Sequence, residues 1–329
     1  MKRIHCGVIG LGWFGDEHVD ALMSLPLAEV AAVCTRRRAR LDEIASRHGI
    51  PAAYVDYRDL LADRTIEMVT IATHVKDHAR IAIDALRAGK HVLLEKPMAD
   101  TVEECDAILE EVSKTDKCFM VGHMCRFDTV YALAAEQIAS GSIGRVLSIH
   151  ARRNLAGSIT AKVCQHISAL FGDGVHDLDL ALWYTGARPV SVYAQTMNTR
   201  NLLHDDLGWA MYRLSDESIV VIETVWCLPD NSPFAIDARM EIVGTDGAIY
   251  VDNAGGQYTL LTPKGLTYPQ STYWPRVHGM RRGYLKEELD YFLKCVAAGT
   301  KPTIVSANDS RAVVAAIRAP NTPRGWAKR

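Results

Sequence analysis

The sequence predicts an α/β protein in two parts: a doubly wound parallel sheet, then an α+β domain with a large, mostly antiparallel sheet. Three observations predict it. Through the first third, short apolar runs alternate with helix-like segments, and parallel strands are reached only by such crossovers. After about Phe127, longer strand-like segments follow one another through turns, as antiparallel neighbours do. The length of 329 residues suits about two domains.

Residues 4–9 form the first apolar run and 15–25 the first helix; 30–34 and 38–48 repeat the unit. Strands are expected at 68–71, 91–94 and 118–122, with a helix over 77–88 ended by Gly89. Thr101 and Glu104 make a capping-box pattern opening a helix to about Ser113. These apolar runs lack polar alternation, which suits strands buried on both faces. The pattern changes at 122–127, giving domains of residues 1–124 and 125–329. A helix then covers 129–140, and strands are expected at 145–153, 190–195, 209–214, 219–226 and 235–243. Gly244-Thr245-Asp246-Gly247 reads as a hairpin turn. One helix lies at about 175–184, and helices over 287–298 and 309–319 close the domain. Pro320 and Pro323 predict a loose, basic tail.

Composition excludes several classes. Charged residues are 23% and hydrophobic residues 48%, which excludes a disordered chain, a collagen repeat and a disulfide scaffold. Net charge is −2, from 37 basic and 39 acidic residues. Nucleic acid is therefore not expected as a partner. No apolar run nears the about 18 residues of a membrane helix, so no membrane partner is expected. Met1-Lys2-Arg3 and the apolar run after it are read as a first strand, because Asp16 and Glu17 arrive before any leader cleavage site. Eight scattered cysteines with no C-x-x-C pair suggest reduced, mostly buried thiols in a cytoplasmic protein.

Gly10-Leu11-Gly12-Trp13-Phe14-Gly15 fits G-x-G-x-x-G between a strand and a helix. In that context it is a strong dinucleotide signal. Gly10 allows the tight turn, Gly12 lets backbone approach a pyrophosphate, and Gly15 lets helix and strand pack. Trp13 and Phe14 lie within the loop and join it as candidate cofactor contacts. The helix N-terminus offers free N–H groups to phosphate. An NAD site usually has Asp or Glu at the end of the second strand, about 20 residues past the glycines. Here Cys34-Thr35-Arg36-Arg37-Arg38 stands there instead. Thr35, Arg36 and Arg37 can grip a 2′-phosphate, so NADP is expected over NAD. The alternative is that these arginines are the solvated start of a helix.

Glu95-Lys96-Pro97 ends a strand at the edge where ligands bind in open α/β sheets. Pro97 keeps Lys96 out of helical geometry. Glu95 and Lys96 are candidate cofactor contacts; a lysine there can contact a cofactor ribose and a substrate hydroxyl, and partial burial would tune it as a base. Thr73 and His123 close strands nearby as candidate contacts, whereas His78 and Arg126 read as structural. Arg152, Arg153 and Asn154 end a later strand and can bind substrate hydroxyls or an acidic group. Cys164, His166, His176 and Asp179 match no zinc spacing, so no metal is expected.

The whole assembly resembles the glucose–fructose oxidoreductase / inositol dehydrogenase / MocA family. The likeness runs through the glycine loop, Ala72-Thr73, His78, Gly89-Lys90-His91-Val92, Glu95-Lys96-Pro97, Gly122-His123 and Arg126-Phe127. It continues through 141–147, Gly174-Val175-His176-Asp177-Leu178-Asp179, 209–226 and 244–252. The resemblance implies a Rossmann domain joined to an open-faced sheet domain that often packs in dimers or tetramers. It implies hydride transfer at a secondary hydroxyl or carbonyl of a sugar, inositol or sugar derivative. Lys96 then corresponds to the catalytic lysine, and His176 to the histidine that hydrogen-bonds the reacting oxygen. Many members carry an aspartate four residues before that histidine. Here that position is Gly172, and Asp173 follows it. Asp173 substitutes as a catalytic and substrate-binding group, caps the helix, or does neither.

Three functions compete at this stage. One is an NADP-linked sugar or polyol oxidoreductase. Another is an enzyme that re-reduces a tightly bound cofactor within each cycle, giving net hydrolysis, epimerisation or sugar–sugar exchange. The third is a non-enzymatic redox sensor, against which Lys96 and His176 speak.

Overall fold

The structure is a computed structural model describing residues 2–254, 258–269 and 271–319. The chain forms two compact units. The first contains Met1–Asp128 and Thr272–Arg311; the second contains Thr129–Ser271 and the chain from Ala312. The expected tail beyond Pro320 lies outside the described residues.

In the first unit the chain runs β1 (Ile4–Ile9), α1 (Trp13–Met23), β2 (Ala28–Cys34), α2 (Arg38–His48), β3 (Ala52–Tyr54) and α3 (Tyr57–Ala62). It continues through β4 (Met68–Ile71), α4 (His78–Arg87), β5 (His91–Glu95), α5 (Val102–Ser113) and β6 (Phe119–Gly122). The sheet order is β3-β2-β1-β4-β5-β6, and every pair is parallel. This is the doubly wound Rossmann order, with its topological switch between β1 and β4. β4 and β6 are buried throughout, as strands covered by helices on both faces must be. The capping box of Thr101 and Glu104 is complete at the start of α5.

The second unit contains α6 (Thr129–Ala139), β7 (Val146–Asn154), the short α7 (Gly157–Thr160), α8 (Val175–Thr185), β8 (Pro189–Met197), β9 (Leu207–Leu214), β10 (Ile219–Val225), β11 (Asp237–Gly244) and β12 (Ala248–Asp252). Its sheet order is β12-β11-β7-β10-β9-β8. The β7–β10 pair is parallel and the rest antiparallel, so the sheet is mixed but mostly antiparallel. The hairpin signal closes β11 on β12, with Gly244 N–H donating to the Gly247 carbonyl at 2.8 Å.

Alternation decides which face is covered. Along β9, Ala210, Tyr212 and Leu214 are buried, while Trp209, Met211 and Arg213 are exposed. On the covered face α8 packs with β7 and β10, and its Leu178, Leu180 and Ala181 are fully buried. Two helices follow, α9 (Tyr284–Ala298) and α10 (Ala307–Arg318). The fully buried Leu285, Leu289 and Phe292 of α9 sit in the part of the chain that returns to the first unit.

Candidate active site

The glycine loop joins β1 to α1 at the switch point. Gly10 has φ +97°, and a Cβ there would meet the Ala72 carbonyl oxygen at 2.5 Å. Only glycine fits such a turn. A Cβ at Gly15 would lie 1.8 Å from the Gly10 carbonyl oxygen, whereas one at Gly12 would meet nothing within 4 Å. The first and third glycines therefore serve close packing. The second keeps open the space into which a diphosphate would come. Gly12 is also the N-cap of α1 and makes no side-chain cap, so first-turn N–H groups remain for an anion. A dinucleotide thus fits this loop.

Beside the loop, Trp13 and Phe14 each meet Trp274 edge-on with ring centroids 5.4 Å apart. Trp13 is nonetheless 64% exposed. Arg281 pairs with Glu17, and with Asp20 at 3.2 Å. The segment carrying Trp274 and Arg281 is thereby strapped to α1.

At the end of β2, Thr35 is half-buried and Arg36 and Arg37 are exposed by residue. The arginines have different partners. Arg37 donates from Nη2 to the Leu11 carbonyl at 2.9 Å, which braces the glycine loop. Arg36 lies 3.6 Å from Asp77. Arg40 bonds Asp16 at 2.7 Å and Glu43 at 2.6 Å.

Lys96 is half-buried at the carboxyl end of β5, and its bond to Pro97 is cis. Its N–H donates to Glu95 Oε2 at 3.1 Å. Glu95, expected as a cofactor contact, is instead buried and turned inward: its Oε1 lies 3.0 Å from His18 Nε2, and Thr70 Oγ1 lies 3.0 Å from His18 Nδ1. This buried Thr70–His18–Glu95 chain holds the backbone at Lys96. The ring of His78 lies 3.1 Å from the Thr73 carbonyl oxygen and 2.8 Å from that of Pro97. The ends of β4 and β5 are thus joined behind Thr73 and Lys96. Burial pushes the His78 pKa down, against the two carbonyls, which pull it up. His123 is buried just after β6, on the same side of the sheet's carboxyl end. Arg126 is structural, bonding the Ile304 carbonyl at 2.7 Å and Asp309 at 3.1 Å.

In the second unit His176 is buried in the first turn of α8. Ahead of it Leu170–Gly174 forms a π turn. Asp173 does not cap α8, whose N-cap is Gly174. It accepts the Trp226 indole N–H at 2.8 Å, and its other oxygen lies 3.9 Å from His176 Nε2. Asp177 is fully buried beside Arg153, at 2.8 and 3.3 Å; burial pushes its pKa up and Arg153 holds it down. Asn154 donates to Glu223 at 2.7 Å and accepts from Val225 N–H at 2.9 Å. That engages it in joining β7 to β10 and leaves one amide N–H over.

Among the described residues no cluster of three or more His, Cys, Asp or Glu could hold a metal ion. No helix of the described residues is long and apolar enough to cross a membrane.

Sequence reasoning missed His18 and Trp226. A signal for His18 existed: it falls in the buried stripe Leu11, Gly15, His18, Leu22, Leu25, where an imidazole needs polar partners. Trp226 gives no comparable signal, because its contacts are distant in sequence.

Comparison with known proteins adds the family. A model described as an oxidoreductase family with an NAD-binding Rossmann fold matches residues 4–123. The GFO/IDH/MocA C-terminal domain matches residues 131–250. The chain is 29% identical to scyllo-inositol 2-dehydrogenase (NAD(+)) of Bacillus subtilis over 98% of this chain and 94% of that one. It is 32% identical to inositol 2-dehydrogenase 2 of Saccharopolyspora erythraea over 75% of this chain and 72% of that one. The solved scyllo-inositol dehydrogenase of Lactobacillus casei, with NAD(H) and scyllo-inositol bound, superposes with a TM-score of 0.85. At 23% identity over 97% of this chain and 96% of that one, this likeness is one of fold. With both halves matched and the glycine loop and Glu95-Lys96-Pro97 in place, the chain belongs to the GFO/IDH/MocA family of NAD-dependent oxidoreductases.

Proposed function

We propose that this protein oxidises a secondary hydroxyl of an inositol or related sugar, with Lys96 receiving the hydroxyl proton. The carrying observation is Lys96 itself: half-buried at the switch-point edge, with its backbone held by Glu95 and the following peptide by His78. The names of the relatives support the substrate class. A bound nicotinamide would supply the hydride acceptor for the carbinol carbon. Lys96 takes the proton from the hydroxyl in the same step, so only one alkoxide-like oxygen needs stabilising. In the second unit His176 serves as a hydrogen-bond partner for a substrate oxygen, with Asp173 3.9 Å from its ring. Asn154 offers its remaining N–H to a neighbouring substrate hydroxyl. Thr73 and His123 contribute from the nucleotide side.

We propose NAD as the working nucleotide. Arg37 is committed to the Leu11 carbonyl, so the expected preference for NADP rests on Thr35 and Arg36 alone. A reducing, cytoplasmic setting suits eight free thiols, seven of them buried. A homodimer or homotetramer is proposed through the open face of the second sheet. There Tyr193, Met211 and Tyr250 stand outward on β8, β9 and β12.

The test is NADH formation by the purified chain with a panel of inositols and sugars. Lys96→Ala is expected to lower kcat by about 100-fold or more while NAD still binds. Near-normal turnover by that variant would remove Lys96 from the chemistry.

A further inference from the structure

Gly172 and Asp173 are consecutive residues of the π turn ahead of α8, and both meet one ring. A Cβ at Gly172 would lie 2.3 Å from Cη2 and 2.7 Å from Cζ2 of Trp226. The same indole donates from Nε1 to Asp173 Oδ2 at 2.8 Å. The ring therefore fills the space of a side chain at 172 and holds the carboxylate at 173.

This ring is anchored. The Trp226 N–H donates to the Asp206 carbonyl at 2.7 Å. Its carbonyl accepts from Thr160 Oγ1 at 2.6 Å and from Arg200 Nη2 at 2.8 Å. Arg200 is held in turn by the fully buried Asp206 at 2.7 Å. Cys164 and Ala169 pack with the indole in one buried cluster.

The chemistry of the donor matters. An indole N–H fixes one carboxylate oxygen without itself bringing a positive charge. The other oxygen then faces His176 at 3.9 Å. Asp177 does not take this part, because Arg153 engages both its oxygens.

We propose that Trp226 is a positioning residue: its indole N–H aims the Asp173 carboxylate at His176. The inference rests on reading His176 as the partner of the substrate oxygen. Trp226→Phe removes the donor together with the outer ring atoms that face Gly172, so Asp173→Asn, which leaves the indole in place, is its companion. With NAD and the inositol or sugar turned over by the wild type, Trp226→Phe and Asp173→Asn each lower kcat by about ten-fold. The NAD KM stays unchanged, and the double variant is no slower than Asp173→Asn alone. Losses that multiply, or a wild-type kcat in Trp226→Phe, overturn the proposal. A second measurement needs no turnover. In protein labelled with ¹⁵N-tryptophan, the indole signal absent from Trp226→Phe is expected to shift in Asp173→Asn, and an unmoved signal overturns the proposal. Should the wild type turn over nothing in the panel, the oxidoreductase reading falls, and the indole signal still decides whether Trp226 holds Asp173.

Discussion

The ring of His78 touches the Pro97 carbonyl oxygen at 2.8 Å, so the first residue of α4 fixes the peptide that follows Lys96. The same ring reaches the Thr73 carbonyl at 3.1 Å. One imidazole thus ties two strand ends at the edge where the nucleotide is expected.

That placement predicts an acid-sensitive fold. Burial lowers the His78 pKa from its ordinary value of 6.5. Below that value the unfolded chain binds a proton that the folded chain resists. Stability therefore rises with pH across the window and is lost as pH falls from 6.5 toward the folded value. His48 and His91 shift the same way, again chiefly by burial. Tm is expected to drop between pH 7.5 and 5.5, with a shallower drop in His78→Gln. A Tm that is flat or rises on acidification contradicts this.

Gly12 and Gly15 separate nucleotide binding from folding. Gly12→Ala adds a Cβ that meets no protein atom within 4 Å, so Tm is expected to hold. Its NAD affinity falls about ten-fold or more, because the methyl stands where the backbone must approach the diphosphate. Gly15→Ala presses on the Gly10 carbonyl oxygen at 1.8 Å and lowers Tm before any ligand is added. Calorimetric titration beside thermal melts distinguishes the two.

Arg36 sets the tolerance for a 2′-phosphate. Its guanidinium is 80% exposed and its acidic neighbour Asp77 stands 3.6 Å away, so it can swing to a phosphate. Arg36→Ala is expected to lower kcat/KM with NADP by about ten-fold, the strength of one charge-assisted contact, and to leave NAD within two-fold. Equal losses with both nucleotides refute the assignment.

Gly172→Ala overpacks the second unit. The new methyl meets the Trp226 ring, anchored through its backbone, at 2.3 Å. A cost of about 1–3 kcal/mol is expected, read from urea unfolding. Trp226→Leu in the same chain recovers part of it, and a neutral Gly172→Ala would show that the ring yields freely.

Legibility in the sequence followed the range of the interactions. The glycine loop, the capping box and the Gly244–Gly247 turn are local, and each was read from a few adjacent residues. β3 spans three residues, Ala52–Tyr54, too few to show alternation, and α3 beside it was missed with it. The return of Thr272–Arg311 to the first unit left no mark in the sequence, because an amphipathic helix such as α9 does not declare its partner. At Asp173 the sequence left three readings open. The N-cap at Gly174 removes capping, and the bond from the distant Trp226 has no pattern of its own. The arginines after β2 show the same limit: their number was plain, but the bond from Arg37 to Leu11 depends on the fold of the loop.

Because α9 and the strap bearing Trp274 belong with β1–β6, the nucleotide lobe is made from two separate stretches of chain. A fragment ending near residue 124 would expose the apolar bed of Leu285, Leu289 and Phe292 and lose the clamp of Arg281 on α1. Anyone transplanting this lobe into another scaffold must carry both stretches, and a circular permutant that joins them directly is the natural way to obtain it alone.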